Sequence, residues 1–298
     1  MKILVIGAKG FIGSHLVDYF TKKGMDVLSC DVKEGIIDPN YVHVQKYNSD
    51  FKSIFAEYEI DACVYAGGNG SVPYSLEYPE IDFQLNTHTV NSLLAAILQH
   101  RPKCRFIHIS SAAVYGSPSR LPISEDEAVN PLSPYGWHKY LSECICKKYN
   151  TLYNIPTCSI RVFSVYGERL RKQLFWDIFQ KIKKSSLITL FGSGKESRDF
   201  IYIDDLNIAI DKILSGSEFK GEIINVAAGK EITIKTAAEI FCKLYDPSLE
   251  LKFNNVVKPG DPTNWWANTT KLERLGFKPE TSIEAGLRNY IQWLKENE

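Results

Sequence analysis

KILVIGAKGFIGS, Lys2–Ser14, reads as a strand, a turn and the start of a helix. Lys2 to Ile6 is a short β-branched apolar run that stops at Gly7. Gly7, Gly10 and Gly13 then follow at intervals of three, and Gly10 to Phe20 has helical character. Glycines let a backbone turn sharply and approach another molecule closely. A helix N-terminus adds free N–H groups and the positive end of a dipole. Gly7-Ala8-Lys9-Gly10-Phe11-Ile12-Gly13 is therefore expected to cradle a pyrophosphate, because the strand–loop–helix setting that such a loop requires is present.

Outward from this loop, strands and helices alternate. Val27 to Cys30 is a second strand, and Asp31 ends it 18 residues past Gly13. An acid at that point accepts hydrogen bonds from both ribose hydroxyls of NAD and repels a 2′-phosphate, so NAD is expected over NADP. Ala62–Tyr65, Arg105–Ile109 and Thr157–Arg161 are further strands. Between them Val90, Leu93, Leu94, Ile97 and Leu98 fall at helical spacing. Such alternation predicts an α/β fold, a Rossmann-type doubly wound parallel sheet with crossover helices. After about Tyr166 the rhythm loosens. Leu174–Lys184 and Leu206–Leu214 read as helices, Asp199–Ile203 and Ile223–Val226 as strands. Ile283–Lys295 is an amphipathic helix with Ile283, Leu287, Tyr290, Ile291 and Leu294 on one face. The expected organisation is a nucleotide-binding domain over 1–166 and a smaller, interwoven C-terminal α/β substrate domain over 167–298, with about 199–226 returning to the first.

Composition narrows the function. The 298 residues carry 35 Lys plus Arg against 35 Asp plus Glu, and 44% are apolar. A net charge of zero argues against nucleic acid as a partner, and no 18-residue apolar run exists to span a membrane. Four apolar residues separate Lys2 from Gly7, too few for a secretion signal. Seven scattered cysteines then read as reduced thiols, and a cytoplasmic location is expected. Cys144 and Cys146 lack companion ligands, so no metal is expected. Gly192-Ser193-Gly194-Lys195 fails as a phosphate loop, having Thr189 where glycine is required and Glu196 where Ser or Thr is required.

SPYGWHK, Ser133–Lys139, carries the chemistry. Ser133 suits a helix N-cap and Pro134 the first helical position. Tyr135 and Lys139 are then i and i+4, on one face. An ammonium near a phenol of pKa ~10 favours the phenolate and makes a general base. A second run, Ile109–Gly116, sits at the carboxyl end of a strand, where a serine hydroxyl can hold a reacting alcohol against Tyr135. Trp265 and Trp266 are read as interface packing, Trp137 and His138 as core or dimer-facing rather than chemical, and His108 as buried with its hydrogen bonds met.

GAKGFIG, Asp31, SSAAVYG, YGWHK, RVFSVYG, RDFIYIDD and KPGDP occur in that order. With them the chain resembles the extended short-chain dehydrogenases/reductases, in particular the NAD-dependent nucleotide-sugar epimerase/dehydratase group typified by UDP-glucose 4-epimerase. The resemblance implies NAD held by Gly7, Gly10, Phe11, Ile12, Gly13, Asp31, Asn86, Tyr135 and Lys139. It implies a catalytic set of Ser111, Tyr135 and Lys139. Substrate contacts would fall to Ser111, Ser164, Gln173, Arg198 and Lys258, with Gly70, Ser71 and Lys172 nearby. Some positions depart from the group. Ala112 and Ala113 replace the acidic pair of 4,6-dehydratases, which disfavours dehydration. Ser164 stands for a usual Asn, Glu168 for a common Pro, and Lys258 for an Arg; Asp50 is a candidate at the adenine. The implied activity is 4-epimerisation of a nucleotide hexose, most simply a UDP-sugar, by a homodimer joined through the helices near 81–99 and 136–149. A 4-keto reductase, a uronate decarboxylase and a non-catalytic NAD-binding protein are the alternatives.

Overall fold

The computed structural model describes residues 1–47, 49–256 and 263–298. The strands are β1 (Lys2–Ile6), β2 (Asp26–Asp31), β3 (Tyr41–His43), β4 (Ala62–Tyr65), β5 (Arg105–Ser111), β6 (Thr157–Val162), β7 (Ser164–Tyr166), β8 (Leu187–Leu190), β9 (Ser197–Tyr202), β10 (Lys220–Val226), β11 (Glu231–Thr233) and β12 (Glu250–Phe253). The helices are α1 (Phe11–Lys22), α2 (Phe51–Glu57), α3 (Val72–Glu77), α4 (Pro79–Phe83), α5 (Thr89–His100), α6 (Pro134–Tyr153), α7 (Gln173–Ile182), α8 (Ile203–Gly216), α9 (Ile234–Tyr245), α10 (Thr270–Arg274) and α11 (Ile283–Asn297). A π-helical turn, Gln84–His88, joins α4 to α5.

Seven parallel strands form the main sheet in the order β10-β6-β5-β4-β1-β2-β3. Apolar side chains fill both of its faces. One layer holds Ile3, Val5, Leu16, Phe20, Ile107, Ile160, Leu206 and Ile210. The other holds Leu4, Leu28, Cys63, Leu93, Leu94, Ile97 and Phe106. This two-sided burial is why the strands read as continuous apolar runs. Chain order reverses at β1, which has β2 on one side and β4 on the other. That reversal opens a crevice at the carboxyl ends of β1 and β4, the position at which open α/β sheets bind ligands.

The rest of the chain builds a lobe over those ends. A three-stranded sheet runs β11-β9-β7 and a pair of strands joins β8 to β12. Rings of Phe175, Phe200, Phe241, Tyr166 and Tyr245 knit this lobe together. Between β9 and β11 the chain returns: α8 packs on α1, and β10 pairs with β6 at the edge of the main sheet. Among the described residues no helix is long and apolar enough to cross a membrane.

Candidate active site

The crevice is floored by glycine. Gly7 and Ala8 donate to the Cys30 carbonyl at 2.9 and 3.1 Å, and Gly10 donates to Gly7 at 3.0 Å. A Cβ on Gly13 would lie 2.0 Å from the Gly7 oxygen, and one on Gly7, whose φ is +83°, would lie 2.6 Å from the Gly67 nitrogen. The loop therefore stays bare and flat. Phe11 opens α1 behind Gly10, and no cap side chain takes up the first N–H groups. Asp31 stands at the end of β2 and accepts from the Lys9 and Val32 amides, both at 2.7 Å. Asn86 is fully buried, and its Oδ1 has no partner. Gly68, at φ +92°, passes directly over that atom, with a Cβ position 2.5 Å away. The glycine-rich segment after β4 is thus a close backbone approach rather than a loose loop. A bare floor, an uncapped helix N-terminus, a ribose-height acid and an unfilled buried acceptor together fit a dinucleotide.

Ser111, Tyr135 and Lys139 converge beside this floor. Ser111 ends β5 and caps a short 3₁₀ turn, its Oγ accepting from the Ala113 amide at 3.2 Å. Ser133 caps α6 by accepting from the Gly136 amide at 3.2 Å, with Pro134 next, as the sequence predicts. Gly136 matters here, because a Cβ on it would meet the Ala113 oxygen at 2.7 Å. Without one, the first turn of α6 seats against the end of β5 and carries Tyr135 to Ser111. Lys139 is one turn further on, 4% exposed, and donates to the Ile109 carbonyl at 3.0 Å. Its Nζ lies 5.9 Å from the centre of the Tyr135 ring.

The electrostatics differ from the simple expectation. Burial pushes the Tyr135 phenol up, the Asp82 charge pushes it further, and only the Ser111 hydroxyl draws it down. Lys139 is lowered to about 8, first by burial and then by the Lys172 charge, with Asp82 and Glu143 opposing. The chain's own groups therefore favour a protonated phenol and a weakened ammonium, because desolvation outweighs their mutual attraction.

Asp82 and Asn69 take part although the motifs did not single them out. Asp82 on α4 is fully buried. Its Oδ1 accepts from Asn69 Nδ2 at 2.6 Å and Asn86 Nδ2 at 3.0 Å, and its Oδ2 meets His138 Nδ1 at 2.5 Å. Asn69 folds its own loop, accepting from the Ser71 amide and donating to the Ser71 carbonyl, both at 2.9 Å. An acid four residues before Asn86, one helical turn away, was the available signal.

The expected substrate residues are partly gathered. Ser164 begins β7 opposite Phe200. Gln173 opens α7 with φ +68°, and Lys172 before it donates to the Gly70 carbonyl at 3.3 Å. Arg198, on β9, donates to the Ser197 and Thr263 carbonyls at 2.7 and 3.2 Å and lies over the Trp265 ring. Lys258 lies outside the described residues. Trp265 and Trp266 tie loops together through the Gly116 and Gly229 carbonyls. Asp50 is used as the cap of α2. His108 corrects an expectation: it is fully buried, but neither ring nitrogen has a partner. Burial and the Lys139 charge hold its pKa well down, so it remains a neutral filler in the strand.

A doubly wound sheet with a glycine phosphate loop and a Ser–Tyr–Lys cluster at its strand ends defines an enzyme of the dinucleotide-dependent, Rossmann-fold class. The chain belongs to the NAD dependent epimerase/dehydratase family, whose family model matches residues 3–227. It is 32% identical to a UDP-glucuronate 4-epimerase of Thermodesulfobacterium geofontis over 99% of this chain and 96% of the relative. Its fold is similar to that of UDP-glucuronic acid 4-epimerase from Bacillus cereus, solved with UDP-glucuronic acid and NAD: TM-score 0.89, 29% identity, 99% of each chain. UDP-glucose 4-epimerase from Thermotoga maritima, solved with UDP-glucose, also gives a TM-score of 0.89, at 25% identity over 99% of each chain.

Proposed function

We propose that the protein epimerises a UDP-activated hexose at C4 through a transient 4-keto sugar, with Tyr135 as the base. The observation that carries this reading is the meeting of Ser111, Tyr135 and Lys139 at the end of β5, beside the Gly7–Gly13 floor. Bound NAD supplies the hydride acceptor and donor, and a positive charge next to the phenol. Ser111 would hold the C4 hydroxyl, and Tyr135 would take its proton as C4 loses hydride and give a proton back to the same oxygen once hydride has returned to the other face of C4. Lys139 orients the nicotinamide ribose and stabilises the Tyr135 phenolate. Asp31 takes the adenosine ribose, and the first turn of α1 with Gly7, Gly10, Phe11, Ile12 and Gly13 takes the pyrophosphate. Ser164, Gln173, Arg198 and Lys258 are assigned to the sugar nucleotide.

Ala112, buried, and Ala113 fill the turn where elimination would need an acid and a base, so the cycle stops at epimerisation. Tyr135→Phe is expected to cut turnover of UDP-hexoses by at least ~10²-fold while the purified protein keeps its NAD. Near-normal epimerisation by that variant, followed by product analysis, would sink the mechanism. Loss of turnover unless NADPH or NADH is added stoichiometrically to the parent enzyme would move the assignment to a reductase.

A further inference from the structure

Asp82 is a carboxylate with no access to water, set between the cofactor floor and the catalytic helix. Such a group is costly unless it is bonded and its charge is answered. Two amides, Asn69 and Asn86, satisfy Oδ1, and the imidazole of His138 meets Oδ2. His138 is the residue immediately before Lys139 and three after Tyr135, so this contact fixes the turn of α6 that bears both. The His138 ring is further wedged edge-on against Phe83, and its carbonyl accepts from Thr87 and Ser142.

We propose that Asp82 and His138 form a positioning pair for Tyr135 and Lys139: the contact between the His138 ring and Asp82 Oδ2 fixes the turn of α6 that bears both residues and holds one carboxylate beside them, and the His138 ring offsets part of that charge. This rests on the reading of Tyr135 as the base. The other groups facing the couple are accounted for. Lys172 and the neutral His108 do not stabilise an ammonium at Lys139. Glu143 is committed to Arg161 and Ser110, with Nε and Nη2 of Arg161 at 3.0 and 2.7 Å and Ser110 Oγ at 2.6 Å. Ser111 is the hydroxyl beside Tyr135. Asp82 is thus the carboxylate beside Tyr135 and Lys139 that is met by an imidazole ring rather than by a guanidinium.

The signs follow. Removing a negative charge lowers the pKa of both a lysine and a phenol nearby, whereas removing the ring that bonds to that charge leaves it less offset and raises both. The test uses NAD-loaded protein carrying ¹³C-labelled lysine, with the Lys139 Cε resonance assigned by its loss in Lys139→Met and followed against pH. The kcat/KM profile for UDP-hexose epimerisation is measured alongside. Asp82→Asn is expected to move the Lys139 titration down by about one pH unit, and both limbs of the rate profile with it. His138→Gln is expected to move both the other way by about half a unit. A purely structural role would lower kcat without moving either. A resonance unmoved in either variant, or moved in the same direction by both, overturns the proposal. Should Asp82→Asn fail to fold, His138→Gln alone decides through the sign of its shift. Shifted resonances in a protein that epimerises no UDP-sugar would leave the pair standing and remove the activity; unshifted resonances in an active enzyme would do the reverse.

Discussion

The missing side chain of Gly136 determines how closely two chemical groups meet. Any Cβ there would press on the Ala113 oxygen at 2.7 Å and the Pro131 Cβ at 2.9 Å, so the start of α6 would have to lift. Gly136→Ala is therefore expected to lower kcat by roughly 10- to 100-fold, through displacement of Tyr135 from Ser111. Bound NAD, measured by release and quantitation, should be retained. Gly13→Ala should do the opposite kind of damage. Its Cβ would overlap the Gly7 oxygen, opening the pyrophosphate cradle, so the purified variant should carry little NAD whatever its fold. These glycines were legible because their spacing is local and their task is backbone geometry. Asp82 was not, because what marks it is burial and three partners, two of which are 13 and 56 residues away in the chain. His108 misled for the same reason: strand pattern shows that a residue is inside, but not whether a donor waits there.

Among the elements, α6 does most to join fold to chemistry. Its inward face, Gly136, Lys139, Ser142, Glu143 and Cys146, repeats at three and four. Midway along, Glu143 and Arg161 form a two-pronged ion pair, each side chain 2% exposed, that locks α6 to β6. Arg161 also lies over the Tyr115 ring, and Tyr115 donates to Asn225 on β10. Glu143→Gln leaves a guanidinium uncompensated in the interior and is expected to cost about 3–5 kcal/mol, read as a lower midpoint in denaturant unfolding. An unchanged midpoint would refute the assignment of α6's anchor. The long periodic helices other than α9, and the buried parallel strands at the centre of the main sheet, were readable from the sequence. β3, β8, β11 and β12 were not, since each has only three or four residues and shows no alternation long enough to distinguish it from a loop. The C-terminal lobe is made mostly of such pieces, which is why the first half of the chain was far clearer than the second.

At the scale of the whole molecule, an outward apolar row runs along α6 and its neighbours. Trp137 is 48% exposed and Leu141 38%, with Leu152, Tyr153 and Phe83 also open to solvent. A patch of this kind on two helices suits pairing with a second copy in a four-helix arrangement. Trp137→Glu combined with Leu141→Glu should convert a dimer to a monomer in light scattering. A parent protein that is already monomeric would end the homodimer proposal.

The return of the chain to β10 has a practical consequence for anyone who would cut the protein in two. A gene ending at Tyr166 would encode every glycine of the cradle and all of Ser111, Tyr135 and Lys139. It would also strip the cover from β6, a strand buried at all six positions. A six-residue unpaired strand edge is a template for endless addition of further copies. Such a fragment should precipitate, and adding residues 167–298 as a separate chain after synthesis should not redissolve it.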